Sequence, residues 1–238
     1  MARFFVSPDA ISDGKIEMQG EDVLHITKVL RMREGDIFTV CDGAGRDYFC
    51  RMVAFDKRTV TAEILEEKEN MVEPPCRITL YQGLPKGAKL DYIVQKCVEI
   101  GVSRIVPMTT ARVVKEGTPK GERLSKIALE AAKQSGRGIV PRVEEPISFA
   151  EAVQKAAEAE LSLFPYECEQ EYSLKAALRD RKPATVSVLI GPEGGFTDEE
   201  KEMAASAGLE VVTLGRRILR TETAGPVTCA NILYEIEG

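Results

Sequence analysis

The chain has 238 residues, 44% hydrophobic and 29% charged, with a net charge of −6. That composition suits one large globular domain or two smaller ones, and it excludes a protein that binds nucleic acid through overall positive charge, leaving only a local basic patch for that purpose. Nowhere do eighteen apolar residues run together and Met1 to Ser7 hold no long apolar run, so neither a membrane span nor a signal peptide is expected, and the expected location is cytoplasmic.

The first 72 residues read as short strands with turn signals. Arg3–Val6 is a strand stopped by Ser7-Pro8-Asp9, and Asp36–Cys41 a second, closed by Asp42-Gly43-Ala44-Gly45. Asp47–Phe55 and Thr59–Leu65 alternate apolar and polar positions on either side of a turn at Asp56-Lys57. Such spacing predicts a small β-barrel. One helical piece interrupts it between Gly20 and Arg33. Val23, Ile26 and Leu30 share its apolar face with Leu24 beside them, and Lys28, Arg31 and Arg33 stay polar and exposed. The segment holds ten Lys/Arg against fourteen Asp/Glu, so RNA binding here would fall to a patch of Arg3, Lys28, Arg31 and Arg33; a solvated helix face explains the same residues. Glu66 to Pro75 combines a charge run with Glu73-Pro74-Pro75 and reads as a linker, which sets the domains at 1–72 and 73–238.

From Arg77 the pattern becomes alternating strand and helix. Ile78–Gln82 is an apolar strand, and the following helix carries Leu90, Ile93, Val94, Cys97 and Val98 at a 3.6-residue period up to Gly101. Ser103–Pro107 is a strand. Leu124, Ile127, Ala128 and Ala131 mark a helix that stops near Ser135-Gly136, with Lys133, Gln134 and Arg137 at its carboxyl end. Phe149–Ala157 is helical, Ala159–Phe164 a strand, and Tyr172–Leu178 a short helix. Thr197 with Glu200 three residues on forms a capping box for a helix ending near Gly208. The last helix runs from about Thr223 to Ile236, with Pro226 in its first turn. The succession predicts an α/β domain with a mostly parallel sheet covered on both faces.

Within that domain two apolar runs, Val186–Ile190 and Val211–Leu214, each end in glycine. Ligands of parallel sheets collect at the carboxyl ends of strands, and Gly191, Gly194, Gly195 and Gly215 allow close backbone approach, so one site built from both loops is predicted; two ordinary turns are the plainer alternative. The loops are neither a P-loop nor a dinucleotide fingerprint, and Glu193 would repel a phosphate beside it. Six cysteines without CxxC spacing read as buried free thiols. With His25 the only histidine, neither a Ser-His-Asp triad in the second half of the chain nor a multi-histidine metal site is available, and no metal is expected.

Ile190-Gly191-Pro192-Glu193-Gly194-Gly195-Phe196 and Leu214-Gly215-Arg216-Arg217-Ile218-Leu219-Arg220-Thr221-Glu222-Thr223-Ala224 closely resemble the bacterial 16S rRNA (uracil-N3)-methyltransferase family of the SPOUT class. The likeness extends to Arg3–Val6, His25–Arg31, Lys86–Asp91, Gln95–Val102 and Glu130–Arg137, nearly the whole chain in order. The family commonly has proline where Arg216 stands and glutamate where Lys133 stands. The resemblance implies an N-terminal PUA-like β-barrel for RNA and a C-terminal α/β trefoil-knot domain that binds S-adenosylmethionine. It also implies a homodimer, and 3-methyluridine in small-subunit rRNA as product.

On that resemblance, backbone of Leu189, Gly191, Gly195, Leu214, Gly215, Ile218 and Leu219 holds the cofactor, and Thr221, Thr223 and Ala224 close the pocket. Uridine N3 must lose its proton to react, and Arg220 is the candidate that stabilises the resulting anion; a plain helix-start ion pair of Arg220 with Glu222 explains the same two residues. Glu222 is the base or orients Arg220, with Glu193 second. Gln134 and Arg137 contact the target RNA. Two other readings stay open: a SPOUT enzyme acting on another base or a ribose 2′-hydroxyl, and a non-catalytic RNA-binding factor in ribosome assembly.

Overall fold

The computed structural model describes residues 2–113 and 121–237. It divides into two compact units, Met1–Glu73 with Ala132–Val140, and Pro74–Ala131 with Pro141–Gly238. The sequence pattern gives no sign that 132–140 groups with the first unit. The reason lies in polar contacts of long sequence separation. Glu73 accepts hydrogen bonds from Arg137 and from the backbone N–H of Gly138 and Ile139, and Lys133 bonds Asp22 at 3.0 Å.

The first unit contains strands β1 (Arg3–Phe5), β2 (Ile11–Ser12), β3 (Lys15–Gln19), β4 (Ile37–Cys41), β5 (Arg46–Phe55) and β6 (Thr59–Glu69). They form one sheet in the order β1-β4-β5-β6-β3-β2, antiparallel except for the β1–β4 pair. Register shifts in the β5–β6 pair, between Phe49 and Cys50 and between Met52 and Ala54, are bulges that add curl. Phe4, Ile16, Met18, Phe38, Val40, Met52 and Val60 fill its interior.

Two sequence expectations need correction here. The charge run Glu66–Glu69 is not linker; it extends β6 and pairs with Arg46–Phe49, where cross-strand opposite charges such as Lys68 opposite Asp47 make a polar strand tolerable. Helix α1 (Glu21–Leu24) widens into a π-wound turn over His25–Val29. The extra residue per turn rotates the face, so Val23 and Ile26 are buried while Leu24 (48% exposed) and Leu30 (42%) are not.

The second unit alternates β7 (Arg77–Gly83), α2 (Lys89–Ile100), β8 (Arg104–Thr109), α3 (Gly121–Ser135, whose residues from Ala132 on group with the first unit), β9 (Arg142–Val143), β10 (Ile147–Ser148), α4 (Phe149–Ala156), β11 (Leu161–Pro165), α5 (Leu174–Leu178), β12 (Thr185–Ile190), α6 (Asp198–Ser206), β13 (Glu210–Val212) and α7 (Thr221–Glu237). The strands are all parallel in the order β10-β8-β7-β12-β11-β13, with β9 beside β8. Strand β12 lies inside the sheet between β7 and β11, covered on both faces, which is why it reads as a continuous apolar run. One face packs Tyr81, Val106, Phe164 and Leu189 on α4 and α6. Helices α2 and α7 pack together and cover β7 and β12 with Leu90, Ile93, Val94, Val98, Ile232 and Leu233 buried.

The capping box at Thr197–Glu200 is present in both its bonds. Helix α7 begins at Thr221, two residues earlier than its pattern suggests. Pro226 therefore lies past the first turn, inside the helix. Among the described residues no helix is long and apolar enough to cross a membrane.

Candidate active site

The loop Gly191–Phe196 leaves the end of β12 and is pinned at its far end. Phe196 is 2% exposed and stacks on Phe164 with ring centres 4.4 Å apart. An aromatic pair of this kind contributes about 1 kcal/mol beyond the area it buries. At its near end the loop presses on β7. A Cβ built on Gly83 would meet Pro192 N at 2.6 Å and Gly191 C at 2.9 Å. Arg112 donates to the Gly194 carbonyl at 2.9 Å, and Ala111 N–H donates to Glu200, so the segment after β8 is latched to the same loop.

The second loop, residues 213–220, runs from β13 into α7. Its junction with the first loop is a short hydrogen-bonded chain. Gln82 Nε2 donates to Thr221 Oγ1 at 2.9 Å, and Thr221 Oγ1 donates to the Gly191 carbonyl at 2.6 Å. Gln82 is fully buried and Thr221 5% exposed, so each bond satisfies groups that water cannot reach.

Between the loops lies a cavity of about 930 Å³. Its volume is that of a small-molecule site, and its lining mixes apolar side chains with a few charged ones. Of the residues expected to hold a cofactor, Gly191, Gly195, Leu214, Gly215, Ile218, Leu219, Thr221 and Ala224 line it. Leu189 does not; its side chain belongs to the core under α4. Thr223 also lies outside the lining and is exposed, because it points away from the cavity side of α7's first turn. Gly195, at φ +65°, has the Glu167 carboxylate where a Cβ would go, 2.5 Å from it. A side chain at Gly195 would collide with that carboxylate, so glycine is required where the loop passes Glu167.

One end of the cavity carries charge. Lys89, the first residue of α2, donates to Glu193 Oε1 at 2.8 Å and stands 3.6 Å from Glu222 Oε2. Glu193 also accepts the Lys86 backbone N–H at 3.1 Å. Burial raises the Glu193 carboxyl, but its hydrogen bonds from Lys89 and from backbone N–H groups outweigh this and hold it below its ordinary value. The Glu193 hydrogen bond in turn raises Lys89. Glu222 Oε2 is buried and receives no hydrogen bond from the described residues. Lys89 at 3.6 Å is an ion-pair contact, too long for a hydrogen bond. Arg220 is 83% exposed and lies 4.0 Å from Glu222 Oε1.

Sequence reasoning finds Arg220, Glu222 and Glu193 but not Lys89. Lys89 stands in the Lys86–Asp91 stretch, yet its role depends on carboxylates more than a hundred residues away.

The RNA-binding expectations divide. Lys28, Arg31, Arg33 and Gln134 are all exposed. Arg3 and Arg137 are not offered to a ligand. Arg3 is held by Asp47 at 2.6 Å with its side chain 13% exposed, and Arg137, 3% exposed, is held by Glu73 at 2.5 Å. A guanidinium taken from water must be paired, and both are spent on structure. Among the described residues no three His, Cys, Asp or Glu side chains are grouped to hold a metal. Cys41, Cys50, Cys76, Cys97 and Cys229 are buried free thiols; Cys168 is exposed.

The chain matches two domains of RNA methyltransferases. The RNA methyltransferase domain profile matches residues 72–233, and the RNA methyltransferase PUA domain profile matches 19–65. Ribosomal RNA small subunit methyltransferase E of Bacillus subtilis is 37% identical over 228 residues, covering 92% of this chain and 89% of its own. The Synechocystis protein of the same name is 36% identical, with 97% and 76% covered. The crystal structure of the Neisseria gonorrhoeae enzyme of that name, bound to S-adenosylmethionine, superposes with a TM-score of 0.89 at 34% identity over 98% of this chain and 97% of that one. A putative methyltransferase from Legionella pneumophila, also with S-adenosylmethionine bound, gives 0.84 at 28% identity, with 98% and 96% covered. The chain belongs to the ribosomal RNA small subunit methyltransferase E family.

Proposed function

We propose that this chain transfers a methyl group from S-adenosylmethionine to N3 of a uridine in small-subunit rRNA, giving 3-methyluridine. The observation that carries the reading is the Glu222 carboxylate, which lines the cavity with Lys89 3.6 Å from its Oε2 and Arg220 4.0 Å from its Oε1. A carboxylate so placed is an acceptor for the N3–H of uracil.

The cavity supports the cofactor. The glycines leave backbone bare for an adenosine, and Ile190, Leu214, Leu219 and Ala224 supply apolar contact. Bound there, S-adenosylmethionine supplies an electrophilic sulfonium methyl, so the chain needs no metal for the reaction. Its own residues have two tasks, positioning and charge. Uracil N3 is protonated at neutral pH and a poor nucleophile. Glu222 takes or orients that proton, with Glu193 beside it. Arg220, exposed at the cavity rim, answers the negative charge that spreads onto the uracil oxygens. The target base is unstacked to reach the cavity.

In this reading RNA is held by Lys28, Arg31, Arg33 and Gln134. The working form is a homodimer in the cytoplasm. Tyr92 on α2 and Val227 and Tyr234 on α7, exposed at 51%, 37% and 81%, support an apolar self-contact. Sedimentation of the purified protein tests it.

The test of function is methyl transfer from labelled S-adenosylmethionine to small ribosomal subunits lacking 3-methyluridine, followed by nucleoside analysis. The expected product is 3-methyluridine. Glu222→Gln and Arg220→Ala are expected to keep cofactor affinity and to lose about 100-fold or more in rate. Label in another base or a ribose 2′-hydroxyl replaces the substrate. Cofactor binding with no transfer to any RNA favours the non-catalytic assembly factor.

A further inference from the structure

Lys89 is an unusual choice for the first residue of a helix. The amino end of a helix is already electropositive, and a cation there is unfavourable. Nothing in the packing of α2 asks for it, since the buried face is Leu90, Ile93, Val94, Cys97 and Val98. What holds it is a pair of carboxylates from two different segments, Glu193 at 2.8 Å and Glu222 at 3.6 Å. Its side chain is 34% exposed, and theirs are 31% and 20%.

We propose that Lys89 is a positioning residue for methyl transfer: its ammonium, bridging Glu193 and Glu222, fixes the Glu222 carboxylate against the cavity and ties the glycine loop to the start of α7. This rests on the reading of Glu222 as the group that takes or orients the uracil proton. Three charged groups meet around Glu222 from the surrounding segments. Glu193 comes from the loop after β12, Arg220 precedes α7, and Lys89 itself opens α2. Without Lys89 the cation that remains beside Glu222 is Arg220, which is 83% exposed. The two carboxylates then repel, and Glu222 has nothing to set its position. Arg220 cannot replace Lys89, because it faces the other oxygen, Oε1, at 4.0 Å and is already required for charge on the substrate.

The test uses the full chain with small ribosomal subunits under single-turnover conditions at saturating cofactor. Calorimetry supplies the S-adenosylmethionine Kd separately. Lys89→Met is expected to lose about 100-fold in rate with Kd within about threefold of the parent, because the interaction acts in the transition state and not on cofactor binding. Lys89→Arg is expected to recover to within about tenfold, since the charge returns with altered geometry. Lys89→Met combined with Glu222→Gln is expected to be no slower than the slower single variant, as for residues that act as a unit.

A parent-like rate for Lys89→Met with a slow Glu222→Gln overturns the inference alone. Losses that multiply in the double variant also overturn it, because the two residues then act independently. A rate loss in Lys89→Met that follows a weakened Kd or lowered melting point, and disappears per bound cofactor, overturns it in favour of a structural role. A parent-like rate for Glu222→Gln overturns the reading of Glu222 and the inference with it.

Discussion

Gly83→Ala is the sharpest test of the cavity's construction. Gly83 closes β7 directly beneath the glycine loop, and an added Cβ would sit 2.6 Å from Pro192 N, 2.7 Å from Pro192 Cδ and 2.9 Å from Gly191 C. The loop must retreat by roughly 0.8 Å to restore an ordinary 3.4 Å contact. Backbone and a proline ring make up that surface, so no flexible side chain can swing aside. Overpacking of this kind costs about 1–3 kcal/mol. For a chain of this size that is a fall of roughly 2–12 °C in melting temperature. The same loop carries Gly191, whose carbonyl is fixed by Thr221, so seating a ligand must undo the retreat. That weakens S-adenosylmethionine by up to about 5–150-fold. Calorimetric titration and thermal unfolding read the two effects. Gly208→Ala is the control: φ is +90° with nothing within 4 Å, so strain lowers the melting point and leaves the cavity alone. A Gly83→Ala protein that melts within a degree of its parent and binds the cofactor within twofold refutes the close approach of β7 to the loop.

Thr221→Val removes the hydroxyl that accepts from Gln82 and donates to Gly191; Gln82 Nε2 keeps its bond to the Gly83 carbonyl, and the Gly191 carbonyl loses this donor. The expected cost is about 1–3 kcal/mol, with cofactor affinity reduced, read by denaturant melts and titration. Replacing Lys28, Arg31 and Arg33 by alanine is expected to weaken RNA binding and to flatten its log–log salt dependence by about 0.7–0.9 for each phosphate no longer neutralised. An unchanged slope would place the RNA surface elsewhere. Because Glu193 titrates below its ordinary 4.5, its ionised form stabilises the fold above that pH, and this contribution disappears as pH falls through the folded-state value. Glu193→Gln should therefore show a shallower loss of melting temperature on acidification below about pH 4.5 than the parent.

The sequence determined what local chemistry can determine. The 3.6-residue period of Leu90, Ile93, Val94, Cys97 and Val98 places α2, because a helix with one buried stripe must repeat at that interval. Thr197 and Glu200 mark the start of α6, since the orphan N–H groups of a helix end need partners. The apolar run into Gly191 marks a buried central strand and the loop after it. Long shared motifs mark the family.

Only the tertiary structure decided the rest. Lys15–Gln19 alternates polar and apolar residues, and pairing with β6 turns Ile16 and Met18 into the interior as a strand that the sequence reading does not name. The π-wound turn at His25 exposes Leu30 against its period. Arg3 and Arg137 look like surface cations in a string of letters, and they are buried because Asp47 and Glu73 come to meet them. The charged end of the cavity is the clearest case. Lys89, Glu193 and Glu222 stand on three segments, and no periodicity or local motif relates residues 104 apart. Their meeting is set by strand order, which brings β12 beside β7 and folds the start of α7 against both.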